Sequence, residues 1–108
     1  MSPLVLYPAS PEGDSAKLRG TLQTDGSCLY ISGEGGERWL AAFPSPGSVW
    51  DSASRSVQVG GKTLKVGSIG EFAGGEMKRG PGVLSWVQAP RAECDGAKIW
   101  LVTALVDL

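Results

Sequence analysis

"AKLRGTLQTDGSCLYISGEGGERWLAAF", residues 16–43, is the stretch whose reading decides the fold. Leu18, Gly20 and Leu22 alternate with Lys17, Arg19, Thr21 and Gln23, a period of two that fits a strand with one buried face. Asp25-Gly26 is a favoured two-residue hairpin turn, and "SCLYIS" (27–32) returns from it. "GEGGE" (33–37) is a second turn and "RWLAAF" (38–43) a third strand. Setting Thr24 opposite Ser27 brings Leu22 to Leu29 and Gly20 to Ile31. An even-length turn about Gly35-Gly36 then brings Ile31 to Leu40. On that register Leu18, Leu22, Leu29, Ile31 and Leu40 share one face and form the expected core.

The same register gathers Tyr30, Trp39 and Phe43 on the opposite face, with Arg19 and Thr21 beside them. Two readings follow. The aromatics are covered as a second small core, by the N-terminal arm with Leu4, Leu6 and Tyr7 or by the 67–82 segment. Alternatively Tyr30, Trp39, Phe43 and Arg19 form an exposed partner-binding patch. Only Arg19 is basic there, so a protein partner or self-association is favoured over nucleic acid, whose bases would stack on such rings.

Outward from the meander, "PSPGSVWDSAS" (44–54) reads as a loop with at most one helical turn. In "SVQVGGKTLKVG" (56–67), Gly61-Lys62-Thr63 has the ending of a phosphate-binding loop. The first glycine of that motif would fall on Ser56, and alternating residues follow where a helix is needed. As a hairpin about Gly60-Gly61 the stretch pairs Val59 with Lys62, Gln58 with Thr63 and Val57 with Leu64. Residues 67–82 read as irregular, with room for a short strand within 69–77. Residues 83–89 read as a strand, 90–97 as a loop, and "KIWLVTALV" (98–106), apolar on both faces, as a central strand.

Six or seven strands make an all-β domain. The expected architecture is a small antiparallel barrel, OB-like, with a two-sheet sandwich as the alternative. Residues 1–15, with Pro3, Pro8 and Pro11, read as an extended N-terminal arm, and 16–108 as a single barrel domain.

The chain has 108 residues, a net charge of −1, 42% apolar residues and 19% charged ones, which fits one globular domain. Charge is uneven: residues 52–92 hold six basic and two acidic side chains, whereas residues 1–51 hold three and six. Within the basic part, Lys78 and Arg79 stand in a glycine-rich loop, either solvated or a candidate anion-binding pair. No apolar run is long enough to span a bilayer, and the start lacks the basic and apolar regions of a signal peptide.

There is no histidine, which removes Ser-His and Cys-His nucleophile activation and most zinc sites. No catalytic residue, metal ligand or cofactor is assigned. Asp51, beside Trp50, reads as a turn cap. The two cysteines, Cys28 and Cys94, read either as one disulfide or as two buried thiols of a cytosolic protein. A bonded pair fits an exported or envelope-associated protein.

"GTLQTDGSCLY" (20–30), "WLAAFP" (39–44), "GGKTLKVG" (60–67) and "GGE" (74–76) together resemble a loose group of small bacterial β-barrel domains of unknown function, over roughly half the chain. The resemblance implies export, with Cys28 of Ser27-Cys28-Leu29-Tyr30 paired to Cys94, and it supplies no activity. The expected function is a non-catalytic β-barrel binding or interaction module engaging a protein partner. The alternative is OB-like binding of single-stranded nucleic acid, with an enzyme third.

Overall fold

A computed structural model of the chain describes residues 3–8, 16–26, 28–77, 86–90, 94 and 98–106. They form β1 (Val5–Pro8), β2 (Ala16–Asp25), β3 (Cys28–Gly33), β4 (Arg38–Ser45), β5 (Ser48–Asp51), β6 (Ser56–Val59), β7 (Lys62–Lys65), β8 (Ile69–Met77) and β9 (Ile99–Val106). The described residues contain no helix long and apolar enough to cross a membrane.

The first hairpin is built about Gly26. Asp25 pairs with Cys28, so Leu22 faces Ile31 and Gly20 faces Gly33. Gly26 takes a φ of 62°, the left-handed conformation this turn position requires. Relative to the expected pairing, β3 has moved by two residues. An even step leaves every side chain on its expected face.

The second turn does the opposite. Gly33 N–H donates to Glu37 O at 2.8 Å, closing a three-residue loop with Gly36 at φ 85°. That loop is odd, as hairpins ending in a left-handed glycine commonly are. Trp39 therefore faces Ile31, and Leu40 faces Tyr30. The expected Ile31–Leu40 pairing is wrong by one residue, and the slip exchanges the two faces of β4.

Five strands close into a ring, β2–β3–β4–β9–β8 and back to β2. The ring is mixed: β4 and β9 run parallel, pairing Leu40 with Ile99 and Ala42 with Leu101. β1 also pairs parallel to β4, Val5 with Ala42 through Pro8 with Ser45. Because Leu40 has β3 and β9 as neighbours and Ala42 has β1 and β9, β3 and β1 share one edge of β4, one after the other. The purely antiparallel barrel is corrected at these two pairings. A bulge between Ala73 and Gly74 shifts the β8–β9 register.

The ring encloses one apolar core: Leu22, Leu29, Ile31, Trp39, Phe43, Phe72, Trp100 and Val102 are buried in it, with Leu18 packed at its margin. The chain between β4 and β8 folds into a separate sheet, β5–β6–β7, whose Val57 and Val59 join that core. It supplies the stopper that the 44–54 segment, read as a loop, did not promise. A second layer lies outside β3, β4 and β9: Val5, Tyr7, Cys28, Tyr30, Leu40, Ala42, Cys94 and Ile99. Part of the segment read as an arm is thus a strand of the fold, fastened where Tyr7 donates its phenol to the Val102 carbonyl. Of the strand expected over 83–89, residues 83–85 lie outside the described residues. The rest contributes one bridge, Leu6 to Gln88.

Candidate interaction site

The half-turn of register decides the fate of the aromatic patch. Trp39, Phe43 and Tyr30 are 8%, 0% and 3% exposed. Trp39 and Phe43 point into the barrel, and Tyr30 lies on the other side of the sheet, buried in one cluster with Val5 and Tyr7 of β1. The three rings share no surface, so the expected exposed patch is corrected. Its fourth member, Arg19, is exposed on β2, 3.6 Å from Glu34. The 38–43 strand itself forms as expected. Lys78 and Arg79 lie outside the described residues.

Cys28 and Cys94 are at disulfide distance, with Cα atoms 5.5 Å apart. The bond fastens the last connection over the β3–β4 face, where the Arg38 guanidinium also sits 4.0 Å from the Tyr30 ring centroid. That face is therefore occupied by the chain's own parts.

One mouth of the barrel is closed by chemistry. The Trp39 and Trp100 rings meet edge to face, 6.2 Å between centroids. Trp39 Nε1 donates to Glu76 Oε1 at 2.8 Å. Lys98 pairs with Glu37, and its Nζ stands 5.3 Å from the Trp39 ring. The hydrogen bond to Glu37 raises the Lys98 pKa above its ordinary value. Trp100 Nε1 is buried without a partner, against the backbone of Gly74. Glu76, Glu37 and Lys98 thus hold their neighbours at this mouth, while the Trp100 Nε1 does not.

The other mouth is where the molecule is open. Gly60 and Gly61 take φ of 57° and 87°, and the β6–β7 pairing is Val59–Lys62, Gln58–Thr63 and Val57–Leu64. This is the hairpin read from the sequence, not a phosphate loop, and its tip hangs beside the end of β9. A cavity of about 320 Å³ lies on one side, lined by Pro44, Pro46, Val59, Lys62, Thr103 and Leu105 among others. Another of about 160 Å³ lies on the other, between Lys62, Thr63 and Leu64 of β7 and Ile69, Glu71 and Val106 of the barrel. Sequence reasoning missed these grooves because four separate segments build them.

Asp51 caps the turn after β5: its Oδ1 accepts the Ala53 N–H at 3.0 Å and the Ser54 N–H at 3.5 Å. Hydrogen bonds from Ser54 and Ala53 hold its carboxyl below the usual range, the signature of a turn cap. Among the described residues no three His, Cys, Asp or Glu side chains gather to hold a metal.

No protein-family model, curated protein or solved structure matches the chain.

Proposed function

We propose that this chain is a non-catalytic β-barrel interaction module whose partner is a protein. The observation that carries the reading is the small sheet β5–β6–β7. Its outer strand runs beside an open groove, and exposed Ile69 lies on the opposite wall. An open strand edge next to an apolar slot is the arrangement by which sheets take up peptides. The disulfide-distance pair Cys28–Cys94 supports an oxidising compartment, exported or envelope-associated.

The ring order favours a second reading. Three meandering strands, a third strand parallel to the last, and an insertion between the third and fourth follow the five-stranded plan of OB barrels. Such barrels take oligonucleotides on the face of their second and third strands. Here those strands are β3 and β4, whose outer-face residues Tyr30, Leu40 and Ala42 are buried in one cluster with Val5, Tyr7 and Cys94. Nucleic acid ranks second for that reason.

Selection of the folded domain against a random 12-residue peptide library tests the proposal. Enrichment of a shared motif, whose synthetic form binds with micromolar Kd, is the expected result. Failure to enrich any motif, together with binding of an oligothymidylate that weakens steeply with salt, overturns it in favour of the second reading.

A further inference from the structure

We propose that β7 binds an extended acidic segment of a partner protein as an added antiparallel strand. The inference rests on the protein-partner reading and names its surface and chemistry.

The backbone of β7 sets the geometry. Val66 N–H donates to Arg55 O at 2.9 Å, so even-numbered residues here turn their peptide groups toward β6. Alternation then points those of Thr63 and Lys65 away from the sheet. The Lys65 carbonyl accepts the Ser68 N–H at 3.1 Å. What remains on the outer edge is the Thr63 N–H, the Thr63 C=O and the Lys65 N–H, and no other strand of the described residues lies along that edge. These three groups are what an incoming strand needs for a pair of ladder bonds at Thr63 and one more at Lys65.

The groove beside this edge admits side chains. Ile69 is 54% exposed on its far wall. Gly70 sets its depth, since a Cβ there would come within 2.6 Å of a Leu64 methyl. Leu64 is thus let down onto the barrel wall.

Charge selects the occupant. Lys62 and Lys65 begin and end the strand, Arg55 lies at the base of the same sheet with Asp51 as its one acidic residue, and Glu71 on the far wall of the groove stands 4.0 Å from Lys17. A second copy adding its own β7 through the same outward groups would bring two more lysines to an edge that already carries Lys62 and Lys65, and that gathering of like charge disfavours self-pairing. An acidic strand does the reverse. Opposite Lys65, Leu64, Thr63 and Lys62 in turn, the fitting sequence is Glu, an aliphatic residue, Thr and Glu. The aliphatic side chain then enters the groove against Leu64 and Ile69.

The experiment is an NMR titration of the ¹⁵N-labelled full chain with a ten-residue peptide containing Glu-Val-Thr-Glu, against the same peptide with Lys in place of Glu. The acidic peptide is expected to shift the amides of 62–65 and 69–71, and the lysine peptide to leave them still. Lys62→Glu with Lys65→Glu should weaken the acidic peptide at least tenfold and turn the preference to the lysine peptide. Thr63→Pro removes the outward N–H without removing a sheet bond, and should abolish binding of either peptide. Equal binding of both peptides, shifts at another surface, or no binding at millimolar peptide each overturns the proposal. So do concentration-dependent shifts of 62–65 in the free protein, which would make the occupant a second copy. Library peptides that bind elsewhere leave the protein-partner reading standing and remove this surface from it.

Discussion

The face that β4 turns inward can be tested through two tryptophans. In the observed register Trp39 and Trp100 meet edge to face, with 6.2 Å between centroids and 74° between planes. That geometry falls within the favourable range for aromatic pairs, which contribute about 0.5–1.5 kcal/mol beyond the area they bury. With β4 slipped by one residue, Trp39 would lie outside the barrel wall and Trp100 inside, and the rings could not touch. The perturbation is therefore a double-mutant cycle, Trp39→Leu, Trp100→Leu and both together. Leucine retains enough apolar volume for the double variant to be measured. Urea unfolding followed by far-UV circular dichroism gives the four stabilities. The expected coupling is about 0.5–1.5 kcal/mol, a factor of roughly two to twelve in the folding constant. Strictly additive losses, within about 0.3 kcal/mol, would refute the register and with it the account of why the aromatic patch is absent.

Replacing Cys28 and Cys94 by Ala removes a cross-link across a sequence separation of 66 residues and should cost about 4 kcal/mol on chain entropy. An unchanged urea midpoint, compared with the parent without reductant, would show the bond to be idle. Gly74→Ala should lower stability by more than ~2 kcal/mol or prevent folding. The residue holds φ 153°, and an added Cβ would lie 1.9 Å from the Leu101 carbonyl oxygen. A near-parental melting curve would mean the β8–β9 bulge relaxes freely. Asp51 titrates below the ordinary aspartate value because Ser54 and Ala53 bond its charged form. Its contribution is present above the unfolded pKa of about 3.9 and is lost as pH falls through the lower folded one. Asp51→Ala should thus be less stable than the parent at pH 6 and converge with it in strong acid, whereas a constant gap at all pH values counts against the cap.

What was legible in the sequence was local. The 56–65 hairpin keeps its expected register because two adjacent glycines with positive φ leave the turn one solution. Leu22, Leu29 and Ile31 keep their core face because the first turn differed by an even step. The second turn offered Gly35 and Gly36 as equals, and nothing short of the backbone tells a two-residue loop from a three-residue one there. One residue of length then carried Trp39 and Phe43 inward and Leu40 outward. The parallel pairings of β1 and β9 with β4 were illegible for another reason. They join segments far apart in the chain, and alternation within a strand says nothing about its neighbours. The groove beside β7 shares that property, whereas the cysteine pair, found at disulfide distance, was one of two readings that the number of cysteines left open.

The double loading of β4 bears on how the chain is made. One edge of β4 takes β3 and β1, which precede it in synthesis; the other takes β9, which comes last. A growing chain that has reached Met77 already holds Trp39, Phe43 and Phe72, but the wall that shuts them in has not been translated. Until Ile99 onward emerges, β4 and β8 each keep a bare hydrogen-bonding edge, and the half-built barrel is sticky on two sides. Closure then waits on a parallel contact across more than fifty residues, a slow kind of event. A truncation before β9 should accordingly give an aggregate and not a smaller domain, and a cell making this protein must shield those two edges for as long as the last strand takes to arrive.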